Sequence, residues 1–336
     1  MGAYRAVLIP GDGIGPEVTE AARRVIAASG IAVEWEVLEV GEVALGRHGD
    51  PLPEEVLERI RECGVALKGP VTTPVGEGFP SVNVALRQRL GLYANLRPVR
   101  SIPGLPSLYG DVDLVIVREN TEGLYVGIEV SPRAGVVEAV RRITAEASLR
   151  IARFAFAYAA RNGRRSVTAV HKANILKGSD GLFLDCARWV AADYPGIEYR
   201  ERIVDAACLD LVLDPSRYDV LLCPNLYGDI ISDLAAGLVG GLGLVPAANL
   251  GDGVGVFEAA HGSAPDIAGR GIANPTALIL AGAMLLDHLG EGEAGRAIEA
   301  AVAQVYREGK CRTPDLGGAS TTREFAGAVI AALGDG

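Results

Sequence analysis

Apolar and polar residues alternate in short blocks along the chain, and the blocks predict a mixed succession of strands and helices. Short apolar runs at residues 4–10, 65–70 and 166–171 have the length of buried strands. Apolar residues recur every three to four positions over residues 16–29 and 144–163, which predicts two amphipathic helices. Strands that alternate with helices in this way favour an α/β fold.

Turn and capping residues predict where several elements end. Thr144 stands at the expected start of the longer helix as its N-cap, and Gly163 is expected to stop it. Gly64 is likewise expected to stop a helix over residues 53–63. Valines mixed with charged residues over 127–141 predict a hairpin.

The length and composition are those of a folded protein with two domains. The 336 residues exceed one typical domain, and 49% hydrophobic with 22% charged residues fits a globular chain. The first residues show no basic segment followed by an apolar core, and no uncharged apolar run is long enough to span a bilayer. We therefore expect a cytoplasmic protein with no membrane partner.

Charge and cysteine content narrow the classes of function. The formal net charge of −10 argues against nucleic-acid binding, which needs a basic surface. The five cysteines are far apart and include no CxxC pair, so we expect buried free thiols rather than disulfides or a zinc site.

The stretch over residues 68–100 carries the first candidate chemistry. A loop rich in Gly, Pro and Thr leads through Ser81 and Asn83 into a short amphipathic helix with Arg87, and an extended segment with Arg97 follows. Guanidinium groups bind carboxylates through paired hydrogen bonds, so the stretch predicts recognition of a small polyanion. For Arg87 a solvated helix face is the alternative, whereas Arg97 lies between an apolar run and a proline.

Three aspartates form a candidate metal site. Asp229 and Asp233 are four residues apart and lie on one face of a predicted helix, where like charges repel unless a cation lies between them. Asp205 is expected at the end of a separate strand. Oxygen ligands of this kind suit Mg²⁺ or Mn²⁺ rather than Zn²⁺. On spacing alone, an exposed acidic face is the alternative.

Strand ends and glycine-rich loops supply further candidates. Arg118 ends an apolar run, where ligands of α/β sheets bind, and is a third possible carboxylate clamp. The segment GDGIG after the first strand has the spacing G-x-G-x-G, which favours a structural turn over a phosphate loop. The loop from His261 to Ala264 combines small residues with free N–H groups that a nucleotide can approach.

Together these motifs resemble the β-decarboxylating dehydrogenase family of isocitrate, isopropylmalate and homoisocitrate dehydrogenases. The resemblance covers almost the whole chain, in family order, through the blocks GDGIGPE, LYANLRP, DLVIVRENTEGLY, HKAN, NLYGDIISDLAAGLVGGLG, FEAAHGSAPDIAG and ANP. It implies a dimeric, two-domain α/β fold of the isopropylmalate dehydrogenase type, which is not the Rossmann arrangement. The large domain would comprise residues 1–98 and 254–336, and the small domain, 99–253, would carry a dimerisation arm and metal ligands.

The resemblance also implies roles for individual residues. The substrate would be bound by Ser81, Asn83, Arg87, Arg97 and Arg118, and the acid–base pair would be Tyr125 and Lys172. The metal, Mg²⁺ or Mn²⁺, would be bound by Asp205, Asp229 and Asp233. The cofactor would be bound by Thr72, Asn174, Glu258, His261, Gly262, Ala264, Asp266, Ile267, Asn274 and Asp315. In a homodimer with shared active sites, the neighbouring subunit would supply the Lys172 and Asp205 positions.

A few side chains predict which substrate and which cofactor of the family this chain prefers. Ser81 and Asn83 supply hydrogen-bond donors that suit the third carboxylate of isocitrate better than the isopropyl group of isopropylmalate. Homoisocitrate enzymes tend to carry a basic residue where this chain has Val84. Asp266 would repel the 2′-phosphate of NADP, so NAD is predicted.

The expected reaction is the oxidative decarboxylation of isocitrate to 2-oxoglutarate and CO₂ with reduction of NAD. Lys172 would accept the proton of the C2 hydroxyl, and Tyr125 would protonate the enolate left after CO₂ departs. Homoisocitrate and 3-isopropylmalate are the alternative substrates. A non-catalytic regulatory subunit is an alternative of another class, against which the complete acid–base and aspartate set argues.

Overall fold

A computed structural model describes residues 3–74 and 81–334. Residues 75–80, within the loop that leads to Ser81, lie outside the described residues. The chain forms two compact units: the first comprises Met1–Leu92, Ser101–Gly110 and Val239–Gly336, and the second comprises Tyr93–Arg100 and Asp111–Leu238. The first unit therefore combines the two ends of the chain, and the second is its middle.

Strands and helices alternate through most of the described chain. The strands are β1 (Tyr4–Ile9), β2 (Val33–Val37), β3 (Val65–Lys68), β4 (Ala94–Arg100), β5 (Asp113–Glu119), β6 (Glu129–Arg133), β7 (Val136–Ala139), β8 (Ser166–His171), β9 (Glu198–Ile203), β10 (Val220–Cys223), β11 (Pro246–Gly251) and β12 (Val254–Ala259). The helices are α1 (Gly15–Ala28), α2 (Glu42–His48), α3 (Glu54–Cys63), α4 (Val82–Arg89), α5 (Ala145–Arg161), α6 (Ser179–Ala191), α7 (Val204–Leu213), α8 (Asn225–Val239), α9 (Thr276–His288), α10 (Gly292–Glu308) and α11 (Thr322–Gly334).

The sheet of the first unit has the strand order β2-β1-β3-β12-β11. Its strands are parallel except β11, which runs antiparallel to β12. Val7, Leu57 and Val256 belong to a core cluster that covers this sheet. The pairing of β3 with β12 sets Lys68 opposite Glu258. Because β11 pairs with β12, it belongs to this unit, whereas the predicted small domain over 99–253 would include it.

The sheet of the second unit has the strand order β4-β5-β10-β8-β9. β4 runs antiparallel to β5, and the other pairs are parallel, so the carboxyl ends of β5, β10 and β8 share one edge. The predicted hairpin is observed as β6 and β7, which form a separate two-stranded sheet. Both units are mixed α/β with mostly parallel strands, which confirms the predicted fold class.

Several predicted element ends are confirmed. Thr144 is the N-cap of α5, and its hydroxyl oxygen accepts the N–H of Ala147 at 3.2 Å. Gly64 and Gly163 follow α3 and α5 with φ angles of 73° and 64°. Glycine suits these positions because it has no Cβ to oppose a left-handed conformation.

The structure also corrects the predicted elements. Asp205 does not end β9, which stops at Ile203, but is the second residue of α7. The pattern of apolar residues does not predict α2, because that helix is short and Ala44 is its one buried residue. No helix in the described ranges is both long enough and apolar enough to cross a bilayer.

The GDGIG turn after β1 is structural. The N–H groups of Asp12 and Ile14 donate to the carbonyl oxygens of Pro70 and Ser263, at 2.8 and 2.9 Å. A Cβ at Gly13 would lie 2.0 Å from the Ser263 carbonyl oxygen, so the backbones approach closely only at a glycine. Since these N–H groups are bonded within the fold, the turn is not a phosphate loop.

Candidate active site

In the second unit, the carboxylate of Asp229 on α8 lies against two arginines and a tyrosine. Arg97, on β4, places Nη2 3.6 Å from Asp229 Oδ1, and Arg118, near the end of β5, donates from Nη1 to the same oxygen. The hydroxyl of Tyr125 donates to Asp229 Oδ2. Arg118 also lies over the Tyr125 ring, with Cζ 5.1 Å from the ring centre. These four predicted site residues therefore form one cluster.

Asp233 joins this cluster from the next turn of α8. Its Oδ1 lies 3.1 Å from Arg97 Nη1. Burial raises the pKa of Asp233, Arg97 opposes the rise and the charge of Asp229 adds to it, so the pKa stays above its usual value. A divalent cation would relieve the repulsion between the two carboxylates, and the oxygen-only donors fit Mg²⁺ or Mn²⁺.

Neighbouring polar groups hold both arginines of the cluster in place. Arg97 donates from Nε to Asn95 Oδ1 at 2.9 Å and from Nη1 to Ser232 Oγ at 2.6 Å. Arg118 donates from Nε to Asn225 Oδ1 at 2.9 Å. Both arginines are buried, so each guanidinium has a fixed direction in which to meet a carboxylate.

Gly228 makes room for Arg118. A Cβ at this position would lie 2.6 Å from Cγ and 2.7 Å from Cβ of Arg118, distances that force the arginine to move. Gly237, on the same helix, would place its Cβ in open space. The requirement for glycine therefore belongs to position 228 and not to the helix as a whole.

Lys172 and Asp205 form a second pair in the same unit. Lys172 follows β8, and its Nζ lies 2.5 Å from Asp205 Oδ1. The hydrogen bond from Lys172 lowers the pKa of Asp205. Within the described residues, no three His, Cys, Asp or Glu side chains are grouped so that they can hold a metal ion, so Asp205 does not join Asp229 and Asp233 in one chain. A neighbouring subunit as the source of Asp205 stays a prediction.

In the first unit, Glu258 lies in a cluster of buried charges. Lys68 Nζ is 2.7 Å from Glu258 Oε2, Arg87 Nη2 is 3.4 Å from Oε1, and Asn249 donates to Oε1 at 2.7 Å. Burial alone would raise the pKa of Glu258, but the charges of Lys68 and Arg87 outweigh it and hold the pKa well below its usual range. The side chain of Arg87 is 11% exposed, which excludes the solvated helix face.

Ser81 and Asn83 stand at the start of α4. Ser81 is the N-cap, and its Oγ lies 3.5 Å from the N–H nitrogen of Val84 and 3.2 Å from Thr73 Oγ1. The side-chain oxygen of Asn83 is buried and has no hydrogen-bond partner among the residues that the structure describes. A buried polar atom without a partner costs about 1–3 kcal/mol, so this oxygen favours a ligand group that donates a hydrogen bond.

Most predicted cofactor residues lie in loops of the first unit. Thr72 Oγ1 lies 2.8 Å from Ser263 Oγ. Ala264 has a φ of 39° and, in the described part of the chain, is the one non-glycine residue with positive φ. Burial lowers the pKa of His261, whose Nε2 has no hydrogen-bond partner within residues 3–74 and 81–334. A strained backbone beside an unpaired ring nitrogen indicates a ligand-binding loop.

The remaining cofactor candidates are divided between the units. Asn274 donates from Nδ2 to Asp315 Oδ2 at 3.0 Å in the first unit. Asp266 and Ile267 belong to a short turn in the same unit, where Asp266 is exposed. Asn174 lies in the second unit, exposed in the turn after Lys172.

Two residues without a predicted role belong to these clusters. Lys68 ends a buried strand and is 2% exposed, and a lysine at the end of an apolar run is a visible signal in the sequence. Asp180 has zero exposure and accepts the N–H of Lys172 at 2.6 Å. The sequence gives no signal for Asp180, because acidic residues are common in the first turn of a helix.

The arginine–tyrosine–aspartate cluster and the Lys172–Asp205 pair, on an α/β fold, fit the class of β-decarboxylating dehydrogenases. The chain belongs to the isocitrate/isopropylmalate dehydrogenase family, whose model matches residues 5–329. This confirms the family that the motifs predict.

Two relatives and one solved structure show how similar the chain is to known members. It is 54% identical to the mitochondrial NAD isocitrate dehydrogenase catalytic subunit 5 of Arabidopsis thaliana, over 96% of this chain and 87% of the relative. It is 50% identical to 3-isopropylmalate dehydrogenase of Archaeoglobus fulgidus, over 98% of this chain and 99% of the relative. The crystal structure of isocitrate dehydrogenase from Methylococcus capsulatus has a TM-score of 0.95 and 52% identity, covering 98% of this chain and 99% of that one.

Proposed function

We propose that this chain is an NAD-dependent isocitrate dehydrogenase that releases 2-oxoglutarate and CO₂. The observation that carries the choice of substrate is the polar start of α4, where the Ser81 hydroxyl and the N–H groups of the Asn83 side-chain amide can donate hydrogen bonds to a carboxylate. Groups of this kind favour a substrate that pairs with them by about one to two orders of magnitude. The relative named NAD isocitrate dehydrogenase supports the same choice.

The second candidate function is oxidation of 3-isopropylmalate, because a relative of this name is 50% identical to the chain. Its isopropyl group would leave the polar groups of Ser81 and Asn83 unpaired, which disfavours it. Homoisocitrate is disfavoured by the apolar Val84.

The residues of the chain account for substrate binding and proton transfer. Arg97 and Arg118 are buried, oriented donors that would bind carboxylates of the substrate. Lys172 would accept the C2 hydroxyl proton, and Tyr125 would protonate the enolate. A bound Mg²⁺ or Mn²⁺ would supply Lewis-acid polarisation of the substrate oxygens, held by Asp229 and Asp233 with Asp205 from a neighbouring subunit.

The cofactor side of the proposal rests on the first unit. NAD, when bound by the loop around His261 and Ala264 with Asn274 and Asp315, would supply the hydride acceptor. The exposed carboxylate of Asp266 supports NAD over NADP, since it would repel a 2′-phosphate.

We also propose that two copies of the chain form the active sites. Helix α7 exposes Leu209, Val212 and Leu213 at 58%, 47% and 64%, and α8 exposes Ile230 at 52%. Large apolar side chains exposed close together along one helix, as on α7, fit an interface better than solvent. These two helices carry the candidate metal ligands, so an interface there would let one chain supply Lys172 and Asp205 to the other.

Initial rates test the proposal directly. Isocitrate, homoisocitrate and 3-isopropylmalate are each offered with NAD and with NADP in the presence of Mg²⁺, and kcat/KM is compared. We expect isocitrate with NAD to exceed every other pair by at least about tenfold. A higher value with 3-isopropylmalate would overturn the choice of substrate. Activity that appears only after a second subunit is added would support the regulatory alternative instead.

A further inference from the structure

Asp180 is a buried carboxylate that the proposed reaction does not use directly. It lies in the first turn of α6 and has zero exposure. Its Oδ1 accepts a hydrogen bond from Arg141 Nη1. Its Oδ2 accepts the N–H of Lys172 at 2.6 Å and the hydroxyl of Tyr227 at 3.3 Å. One carboxylate thus connects the segment after β7, the turn after β8 and the start of α8.

The contact with Lys172 closes the turn that presents this lysine. The Lys172 carbonyl oxygen accepts the N–H groups of Ile175 and Leu176 at 3.0 and 2.8 Å, and the N–H of Asp180 donates to the Leu176 carbonyl oxygen at 3.0 Å. The carboxylate of Asp180 then binds back to the Lys172 N–H. Hydrogen bonds therefore hold both the N–H and the carbonyl group of Lys172. Its side chain extends from this held main chain to Asp205.

Arg141 and Tyr227 hold the carboxylate from the other side. Arg141 Nη1 also donates to Ser179 Oγ at 3.0 Å, and its Cζ lies 5.2 Å from the centre of the Tyr227 ring. Arg141 is 14% exposed, so Asp180 is the charge partner of a largely buried cation. Such a pair has a defined geometry, because a buried charge that loses its partner is strongly destabilising.

We propose that Asp180 is a positioning residue, which orients Lys172 to accept the C2 hydroxyl proton. The inference rests on the proposed function. A base displaced by about 1 Å can lose about 100-fold in rate. Only the oxidation step removes this proton. The keto acid formed by oxidation has no such hydroxyl, so its decarboxylation does not need an oriented Lys172.

The experiment compares these two reactions in the full-length enzyme. Asp180→Asn and Asp180→Ala are assayed for isocitrate oxidation and for decarboxylation of added oxalosuccinate, the keto acid intermediate. We expect kcat for oxidation to fall about 10–100-fold, with KM and the decarboxylation rate within about threefold of the wild type. A merely structural role would lower both reactions together.

Asp219→Asn is the matched control. Asp219 accepts the N–H of Ser166 at 3.3 Å and pairs with Arg164 at 2.9 Å, so it repeats the chemistry of Asp180 at the opposite end of β8. In Asp219→Asn, the rates of oxidation and of decarboxylation should both fall, by similar and small factors.

Three results would overturn the inference. They are proportional loss of both reactions in the Asp180 variants, a selective loss no larger than in Asp219→Asn, and failure of both Asp180 variants to fold. A wild-type chain that does not oxidise isocitrate would instead reject the proposed function. The variants are then compared on the substrate and keto acid that the wild type does use.

Discussion

Gly228 lies directly against the Arg118 side chain, so adding one methyl group at this position should disturb substrate binding. Gly228→Ala should raise the KM for isocitrate by roughly tenfold or more, because a Cβ 2.6 Å from Arg118 Cγ displaces a guanidinium that binds a carboxylate. Steady-state kinetics measures the effect. Gly237→Ala is the control, since its Cβ meets open space and alanine favours a helix by up to about 1 kcal/mol. Equal KM values in both variants would contradict the role of Gly228.

Tyr125 is the second residue-scale test. Tyr125→Phe removes the hydroxyl that donates to Asp229 and that is proposed to protonate the enolate. We expect overall turnover to fall about 100-fold or more, while reduction of the added keto acid is partly retained. Assays of each partial reaction show the difference. Tyr4→Phe, which removes a hydrogen bond to Glu291 far along the chain, should leave both rates unchanged. Unaltered overall turnover in Tyr125→Phe would refute the assignment.

The identity of such residues is readable from sequence, but their partners are not. Motifs mark Arg87 and Glu258 separately, yet their pairing joins positions 171 residues apart and follows only from the fold. Asp180 has no signal in the sequence, and its contacts with Arg141 and Tyr227 also follow only from the fold. Long-range packing, rather than local pattern, decides these contacts.

At the scale of elements, the register of β3 and β12 sets Lys68 opposite Glu258 and predicts a pH dependence. The pKa of Glu258 is lowered in the folded chain, so its carboxylate stabilises the fold fully above about pH 5. This stabilisation shrinks as the pH falls below the unfolded value of about 4.3 towards the folded pKa.

Glu258→Gln should therefore lose less thermal stability than the wild type between about pH 5 and pH 3, although it is less stable at pH 7. Melting temperatures across this pH range measure it. Glu58→Gln, on an exposed face of α3, is the control and should follow the wild type. If the melting temperature of the wild type falls no more steeply with decreasing pH than that of Glu258→Gln, the stabilising role of the Glu258 carboxylate is contradicted.

Elements with local signals are predicted from the sequence, and those that depend on distant partners are not. Thr144 starts α5 through its own side chain and Gly64 stops α3 through its own backbone, so the local pattern is sufficient to predict both. α2 has one buried residue, so its apolar pattern is too weak to predict a helix. Asp205 is the second residue of α7, which follows β9 directly. No loop or turn residue separates β9 from α7, so the sequence does not predict where the strand ends and the helix begins.

At the scale of the whole molecule, a shared active site predicts complementation. Lys172→Met and Asp229→Asn chains should each be inactive alone, because each lacks one required group. In a hybrid dimer, one site combines both substitutions and the other has neither. Co-expression should therefore restore about a quarter of the wild-type activity, since about half of the dimers are hybrids. Co-expressed Lys172→Met and Asp205→Asn chains are the control, because no hybrid site is intact. No recovery in the first pair would reject shared sites.

The first unit joins β1 and β3 near the start of the chain to β12 and α9 near its end, while the second unit is almost continuous. On a ribosome, the middle of the polypeptide can therefore finish folding first. The amino-terminal strands must wait for the last hundred or so residues, on the order of ten seconds of translation. During that interval the edge of β3 that β12 later covers is open, and an unpaired strand edge exposes a nascent chain to aggregation.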